Sequence, residues 1–237
     1  MRENGGINSP IAGGMTPFTT IDYPGKVAAV VFLCGCNLRC KHCSNPQILE
    51  TDETDIKRAG DNWRRVTDFL TRRAGKLDAV VFSGGEATLQ AESLAAAIPE
   101  IKKMNYKIGL HTNGTLPDKL ALLLPHIDWV GMDIKTDRDN YAALTGIDAW
   151  EKVMESLSLL LARGGEFEIR TTLDSRFISK KSLEELAKLL SAKGVKNYAV
   201  QKVNTVGLAE KDAPAGFSEL FDKDAMRALF PNFIIRD

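Results

Sequence analysis

Between Val27 and Val203 the chain repeats one pattern about six times: a short β-branched apolar run, then a longer stretch whose apolar residues recur at helical spacing. The runs are Val27–Leu33, Asp78–Ser83, Lys107–His111, Trp129–Ile134, Glu166–Thr172 and Tyr198–Val203. Several are apolar throughout, as strands covered on both faces are. The intervening segments place Trp63, Val66, Phe69 and Leu70 on one helix face, and Leu94, Ala97, Ile98 and Ile101 on the next. Val153, Leu157, Leu160 and Leu161 form a third such face, and Leu183, Leu186, Leu189 and Leu190 a fourth. Such alternation predicts right-handed βαβ crossovers and an α/β fold with a mainly parallel sheet, either open and doubly wound or a partial or complete barrel. Pro99 is expected to break or kink the second helix and Gly194 to cap the fourth. A flexible crossing over Lys211–Asp224 is expected to lead into a last helix from about Asp224 to Phe230.

In parallel α/β folds ligands sit at the C-terminal strand ends. The chemically unusual segments fall there. The cysteines follow the first strand, "SGGE" the second, "HTNG" the third, "DIK" the fourth and "RTT" the fifth. One loop could hold glycine and asparagine merely to turn; five in succession point to a single ligand pocket.

All four cysteines lie within ten residues, Cys34 to Cys43. A disulfide framework spreads its thiols along the chain, so this cluster points to metal ligation or redox chemistry. Cys36, Cys40 and Cys43 form C-x3-C-x2-C, which can ligate three irons of a [4Fe-4S] cluster and leave the fourth open. Using Cys34 as well gives a closed tetrahedral zinc site, and replacing one thiolate by His42 gives a Cys3His site. Cys34 ends an apolar strand, where a small buried side chain suffices. The rest of the composition narrows the field: 31 basic residues balance 31 acidic ones, and no basic block provides the footprint that nucleic acid requires. The first residues are polar and glycine-rich, without a leader-like apolar core, and no apolar run reaches the length of a membrane span. The expectation is one domain over 1–237 in the cytoplasm, with a lead-in over about 1–20 and an extension over about 204–237.

C-x3-C-x2-C after the first strand, a ring before its last cysteine and Gly-Gly-Glu after the second strand together resemble the radical S-adenosylmethionine (SAM) superfamily. Within it, "TTIDYPGKVAAVVF", "SGGEATLQ", "GLHTNGTLPDKL", "IDWVGMDIKTD", "YAALTG" and "FEIRTTL" are similar to the activating proteins of anaerobic ribonucleoside-triphosphate reductase. The resemblance runs from about Gly13 to Val203. It implies a partial TIM barrel of about (β/α)6, a [4Fe-4S] cluster held by Cys36, Cys40 and Cys43, and SAM chelated to the open iron. The SAM contacts it implies are Ser83, Gly84, Gly85, Glu86, Asn113, Asp133, Lys135 and Arg170, with His42 against the adenine. Glu86 and the carbonyls of Gly84 and Gly85 suit the SAM ammonium as acceptors. Lys135 and Arg170 suit its carboxylate as charge-assisted donors. No catalytic group beyond the cluster and SAM is implied.

Three positions depart from the pattern: Ala87 stands where proline is common, Cys34 where glutamine is common, and His111 where activases often carry an aspartate that helps hold a monovalent cation. This chain either lacks that cation site or builds it from Asp133 and backbone oxygens. The implied function is a radical SAM oxidoreductase that installs a glycyl radical on a partner, anaerobic ribonucleotide reductase, with flavodoxin or ferredoxin as electron donor. A pyruvate formate-lyase-type activase or an enzyme like 7-carboxy-7-deazaguanine synthase uses the same chemistry. From a different class, a non-catalytic zinc-binding interaction module fits the cysteines but leaves "SGGE", "DIK" and "RTT" without a shared purpose.

Overall fold

The computed structural model describes residues 9–204 and 216–237. Its strands are β1 (Ala12–Thr19), β2 (Ala28–Leu33), β3 (Ala79–Gly84), β4 (Lys107–Thr112), β5 (Trp129–Asp133), β6 (Glu166–Leu173), β7 (Asn197–Lys202) and β8 (Asn232–Arg236), hydrogen-bonded in chain order. Its helices are α1 (Glu53–Arg73), α2 (Ala91–Lys102), α3 (Pro117–Leu123), α4 (Tyr141–Thr145), α5 (Trp150–Arg163), α6 (Lys180–Ala192) and α7 (Lys223–Leu229). The six expected strands are β2 to β7; the structure adds β1 and β8. Of the expected crossing segment, residues 211–215 lie outside the described ones, and Phe217–Glu219 forms a single 3-10 turn. Among the described residues no helix is long and apolar enough to cross a membrane.

The chain divides into two compact units. The first comprises the residues up to Asn37 with Asn45–Thr112 and Leu116–Val130. Here β2, β3 and β4 run parallel, with Val30 opposite Val81 and Val81 opposite Gly109. The strand period of two puts Ala28, Val30, Ala79 and Val81 on one face, where they pack with Tyr23 and Trp129. On the other face Phe82 stacks on Trp63 of α1, with ring centroids 6.2 Å apart. β1 pairs antiparallel to β2. Its sequence, AGGMTPFT, does not read as a strand, because two glycines and a proline interrupt any alternation. An edge strand tolerates both. Gly13 is required by packing: a Cβ there would lie 2.7 Å from Cys34 Sγ and 2.9 Å from Ile48 Cγ2.

Pro99 does not break α2, because the helix continues through it to Lys102. Ile98 and Ile101 on either side are buried. Burying two such side chains is worth about 3–6 kcal/mol, enough to offset the ~3 kcal/mol cost of an interior proline.

The second unit comprises Leu38–Ser44, Asn113–Thr115 and the chain from Gly131 onward. β6, β7 and β8 are parallel, with Thr171 opposite Val200 and Val200 opposite Ile235. α5 buries Trp150 with the expected Val153, Leu157 and Leu160, and α6 buries Ala187 with the expected Leu183, Leu186 and Leu190; of the predicted faces, Leu161 is only half-buried and Leu189 is exposed. α6 ends as expected: Gly194 takes φ +96°, and Val195 N–H donates back to Leu190 O at 3.1 Å. Asp222 caps α7 by accepting from Asp224 N–H and Ala225 N–H. Arg236 of β8 grips the buried Glu168 of β6 through two hydrogen bonds, at 2.7 and 3.0 Å.

Candidate active site

In the first unit, the chain leaving β2 is fixed almost wholly through its backbone. Cys34 N–H donates to Ile11 O, Gly35 N–H to Ile48 O, and Cys36 N–H to Leu49 O, at 2.8–2.9 Å. Gln90 closes the arrangement, accepting from Ile11 N–H and donating to Cys34 O. The end of β3 presses against this segment: Gly85 N–H donates to Leu33 O at 2.9 Å and Glu86 N–H to Gly35 O at 2.8 Å. Neither glycine of "SGGE" can be replaced without displacing backbone. A Cβ on Gly84, at φ +128°, would fall 2.2 Å from Leu33 N, and one on Gly85 would fall 2.1 Å from Gly35 O.

Ser83 sits half-buried beside the pair. Glu86, offered by the sequence as an ammonium acceptor, is 1% exposed. Its Oε1 accepts from Thr88 N–H, Thr88 Oγ1 and Thr112 Oγ1 at 2.9, 2.6 and 2.7 Å. That oxygen serves to hold the turn. Thr88 and Thr112 escape sequence reading, since nothing in their spacing marks them as partners of one carboxylate.

Cys34 behaves as the small apolar residue its position suggests. Its sulfur packs against Gly13 and Ile48, and burial, with Asp55 and Asp52 nearby, pushes the thiol pKa up. Its place in that apolar packing is the one a small buried side chain fills. His111 of β4 is bound within this unit, with Nε2 3.0 Å from Asp22 O and its ring edge-on to Trp129 at 5.7 Å.

In the second unit, the ends of β5 and β6 carry a charged group. Asp133 Oδ1 accepts from Arg170 Nε at 2.7 Å, and Oδ2 from Lys135 Nζ at 2.8 Å. Arg170 also donates to Gly131 O at 3.3 Å. The three side chains are 23%, 9% and 17% exposed, so one carboxylate is shared by two largely buried cations. Burial disfavours the Lys135 ammonium, but Asp133 and then Cys40 outweigh it and hold its pKa above the usual lysine value. The reverse holds at Cys40, where burial raises the thiol pKa and Lys135 opposes it. Asp133, which the sequence offered with backbone oxygens as an alternative cation site, thus has both carboxylate oxygens engaged by side-chain cations.

Asn113, 5% exposed, folds its strand end into a turn by accepting from Thr115 N–H and Thr115 Oγ1 at 3.0 and 2.6 Å. The His42 side chain is 5% exposed, with Nδ1 3.5 Å from Asp174 Oδ2. That contact is an ion-pair approach at the edge of hydrogen-bond range, and the buried Nε2 has no hydrogen-bond partner among the described residues. Asp174, 1% exposed, is held by Arg176 through Nε at 2.9 Å and a terminal nitrogen at 2.7 Å. Burial would raise its carboxyl pKa, yet Arg176 and His42 together hold it well below the usual carboxylate range. Asp174 directly follows "RTTL" at the end of β6, and that strand-end position was the available signal for it.

Residues 30–190, which include Cys36, Cys40 and Cys43 and the strand ends described above, match the model of the Radical SAM superfamily. The chain belongs to the radical SAM superfamily. It is 29% identical over 199 residues to MJ1227 of Methanocaldococcus jannaschii, named as a glycyl-radical enzyme activating enzyme, covering 81% of this chain and 79% of that one. It is 30% identical over 199 residues to the pyruvate formate-lyase-activating enzyme of Clostridium pasteurianum, covering 79% of each. The crystal structure of Streptococcus suis SuiB bound to S-adenosylmethionine shares the fold, with a TM-score of 0.61 at 17% identity over 86% of this chain. This chain spans 48% of SuiB.

The expected α/β class with parallel strands therefore holds, and a [4Fe-4S] cluster and SAM are the cofactors of this superfamily. The donors fit them in kind. Three cysteines outside any disulfide offer the soft sulfur ligands an iron–sulfur cluster takes, and the Asp133–Lys135–Arg170 group carries a net positive charge, to which a carboxylate is complementary.

Proposed function

We propose that this chain activates a glycyl-radical enzyme, and that its partner is anaerobic ribonucleoside-triphosphate reductase. What carries the activase reading is its match to two named activases over about four fifths of each chain. The reductase is favoured by the motifs from "TTIDYPGK" to "FEIRTTL". With both cofactors bound, an electron from the reduced cluster cleaves SAM to methionine and a 5′-deoxyadenosyl radical, which takes a hydrogen atom from a backbone glycine of the partner.

The residues divide that task. Cys36, Cys40 and Cys43 hold three irons as thiolates. Lys135 and Arg170 bind the SAM carboxylate, with Asp133 fixing the direction of both cations; two positive charges against one negative leave a buried site that favours an anion. Ser83, Asn113 and the carbonyls of Gly84 and Gly85 bind the amino and ribose groups, and Glu86 keeps the glycine turn in place through Thr88 and Thr112. His42 lies against the adenine. Flavodoxin or ferredoxin supplies the electron.

The test is an anaerobic incubation of the iron-reconstituted, reduced protein with SAM and the purified reductase. 5′-Deoxyadenosine is followed by mass spectrometry and the glycyl radical by its electron paramagnetic resonance (EPR) doublet. Both are expected with wild type and neither with Cys40→Ala. Deoxyadenosine without a radical on the reductase would reject the partner and keep the chemistry.

A further inference from the structure

The segment Tyr141–Gly146, YAALTG, has no part in the chemistry above, yet it touches the cysteine loop directly. α4 is only five residues long, too short to persist by itself, and its last carbonyls have no partners within the helix. Two of them are used outside it. Thr145 O accepts from Arg39 N–H at 2.8 Å, and Leu144 O accepts from Lys41 N–H at 3.0 Å. These two donors flank Cys40.

The helix end is itself held. Tyr141 is fully buried, with its ring edge-on to Trp150 at 6.0 Å. Thr145, also fully buried, places Oγ1 2.8 Å from both Tyr141 O and Ile147 O. Gly146 reverses the chain at φ +87°, with its N–H donating to Ala142 O at 2.9 Å. A Cβ on Gly146 would meet Arg39 Cβ at 3.4 Å, so the backbone angle rather than space requires glycine there.

We propose that α4 and Gly146 form a backbone clamp that holds Cys40 in its ligating position. The clamp rests on the reading of Cys36, Cys40 and Cys43 as cluster ligands, and Thr145 and Gly146 act as positioning residues. The cysteine loop has no regular structure of its own over Asn37–Ser44. Two hydrogen bonds, one on each side of Cys40, therefore do for this thiol what the glycine turn of β3 does for Cys36.

The test compares full-length wild type with Gly146→Val and Gly146→Asn. Valine is β-branched and strongly disfavoured at positive φ, whereas asparagine tolerates it. In the iron-free protein, amide exchange at Arg39 and Lys41 is expected to quicken about tenfold in Gly146→Val and to stay near wild type in Gly146→Asn. After anaerobic reconstitution, Gly146→Val is expected to take up less iron and to lose or shift the EPR signal of the reduced cluster. Gly146→Asn restores both. If Gly146→Val does not fold, Gly146→Ala carries the same comparison with a smaller shift in the same direction. Wild type that takes up no iron would overturn the ligand assignment beneath the clamp. Wild type that does, beside a Gly146→Val protein with the same exchange rates, iron content and signal, would overturn the clamp alone.

Discussion

The two units solve the same problem, fixing groups at strand ends, with different materials. The first unit uses backbone packed against backbone: Gly84 and Gly85 lie so close to Leu33 and Gly35 that a methyl group does not fit. The second uses charge, with Asp133 shared by Lys135 and Arg170, and Asp174 held by Arg176. The first construction fails when an atom is added, and the second when one is taken away.

That contrast orders the consequences of mutation. Gly85→Ala should be the most damaging, costing about 3 kcal/mol in denaturant unfolding and abolishing iron uptake, because its Cβ would overlap Gly35 O. A variant that unfolds like wild type and still takes up iron would remove the basis of the comparison. Asp133→Leu should cost about 2 kcal/mol by leaving two cations unpaired, somewhat below the value for a fully buried pair because Asp133 is partly exposed. It should also weaken SAM binding, measurable by calorimetry on reconstituted protein.

Asp174 sharpens the contrast through pH. Its folded pKa lies below that of an unfolded carboxyl, about 3.9. Its stabilisation is therefore complete above that value and is lost as pH falls toward the folded one. Relative to Asp174→Asn, wild type should be more stable by about 2 kcal/mol at pH 7, the range for hydrogen bonds to a charged group, with the gap narrowing below pH 4. A gap that widens in acid would contradict the assignment. Smallest is Cys34→Ala, expected to cost about 1 kcal/mol for the small cavity and to leave iron content unchanged. Loss of iron equal to that of Cys36→Ala would restore Cys34 as a ligand.

How much of this was legible in the sequence depended on range. β2 to β7 and three of the four positions named on each of the faces of α5 and α6 could be read because their periodicity is local, and Gly194 could be read because a helix cap is a local device. β1 could not, since Gly13, Gly14 and Pro17 obey the geometry of an edge and of Cys34 rather than a strand pattern. β8, NFIIR, is five residues long and carries only three apolar residues, too short a run to stand out. In the site, the cysteines announced themselves by spacing within one loop. The partners of Glu86 and His42 did not: Thr112 and Asp174 reach them only through the fold. Pro99 showed the limit of a local rule, its cost offset by burial the rule does not count.

The glycine turn at the end of β3 also restricts how such a chain can evolve. Any amino-acid replacement at Gly84 or Gly85 adds at least a Cβ where Leu33 and Gly35 already stand. No neutral first step therefore leads away from the pair. Variation that this fold tolerates is therefore expected in the loops after the other strands rather than in this turn.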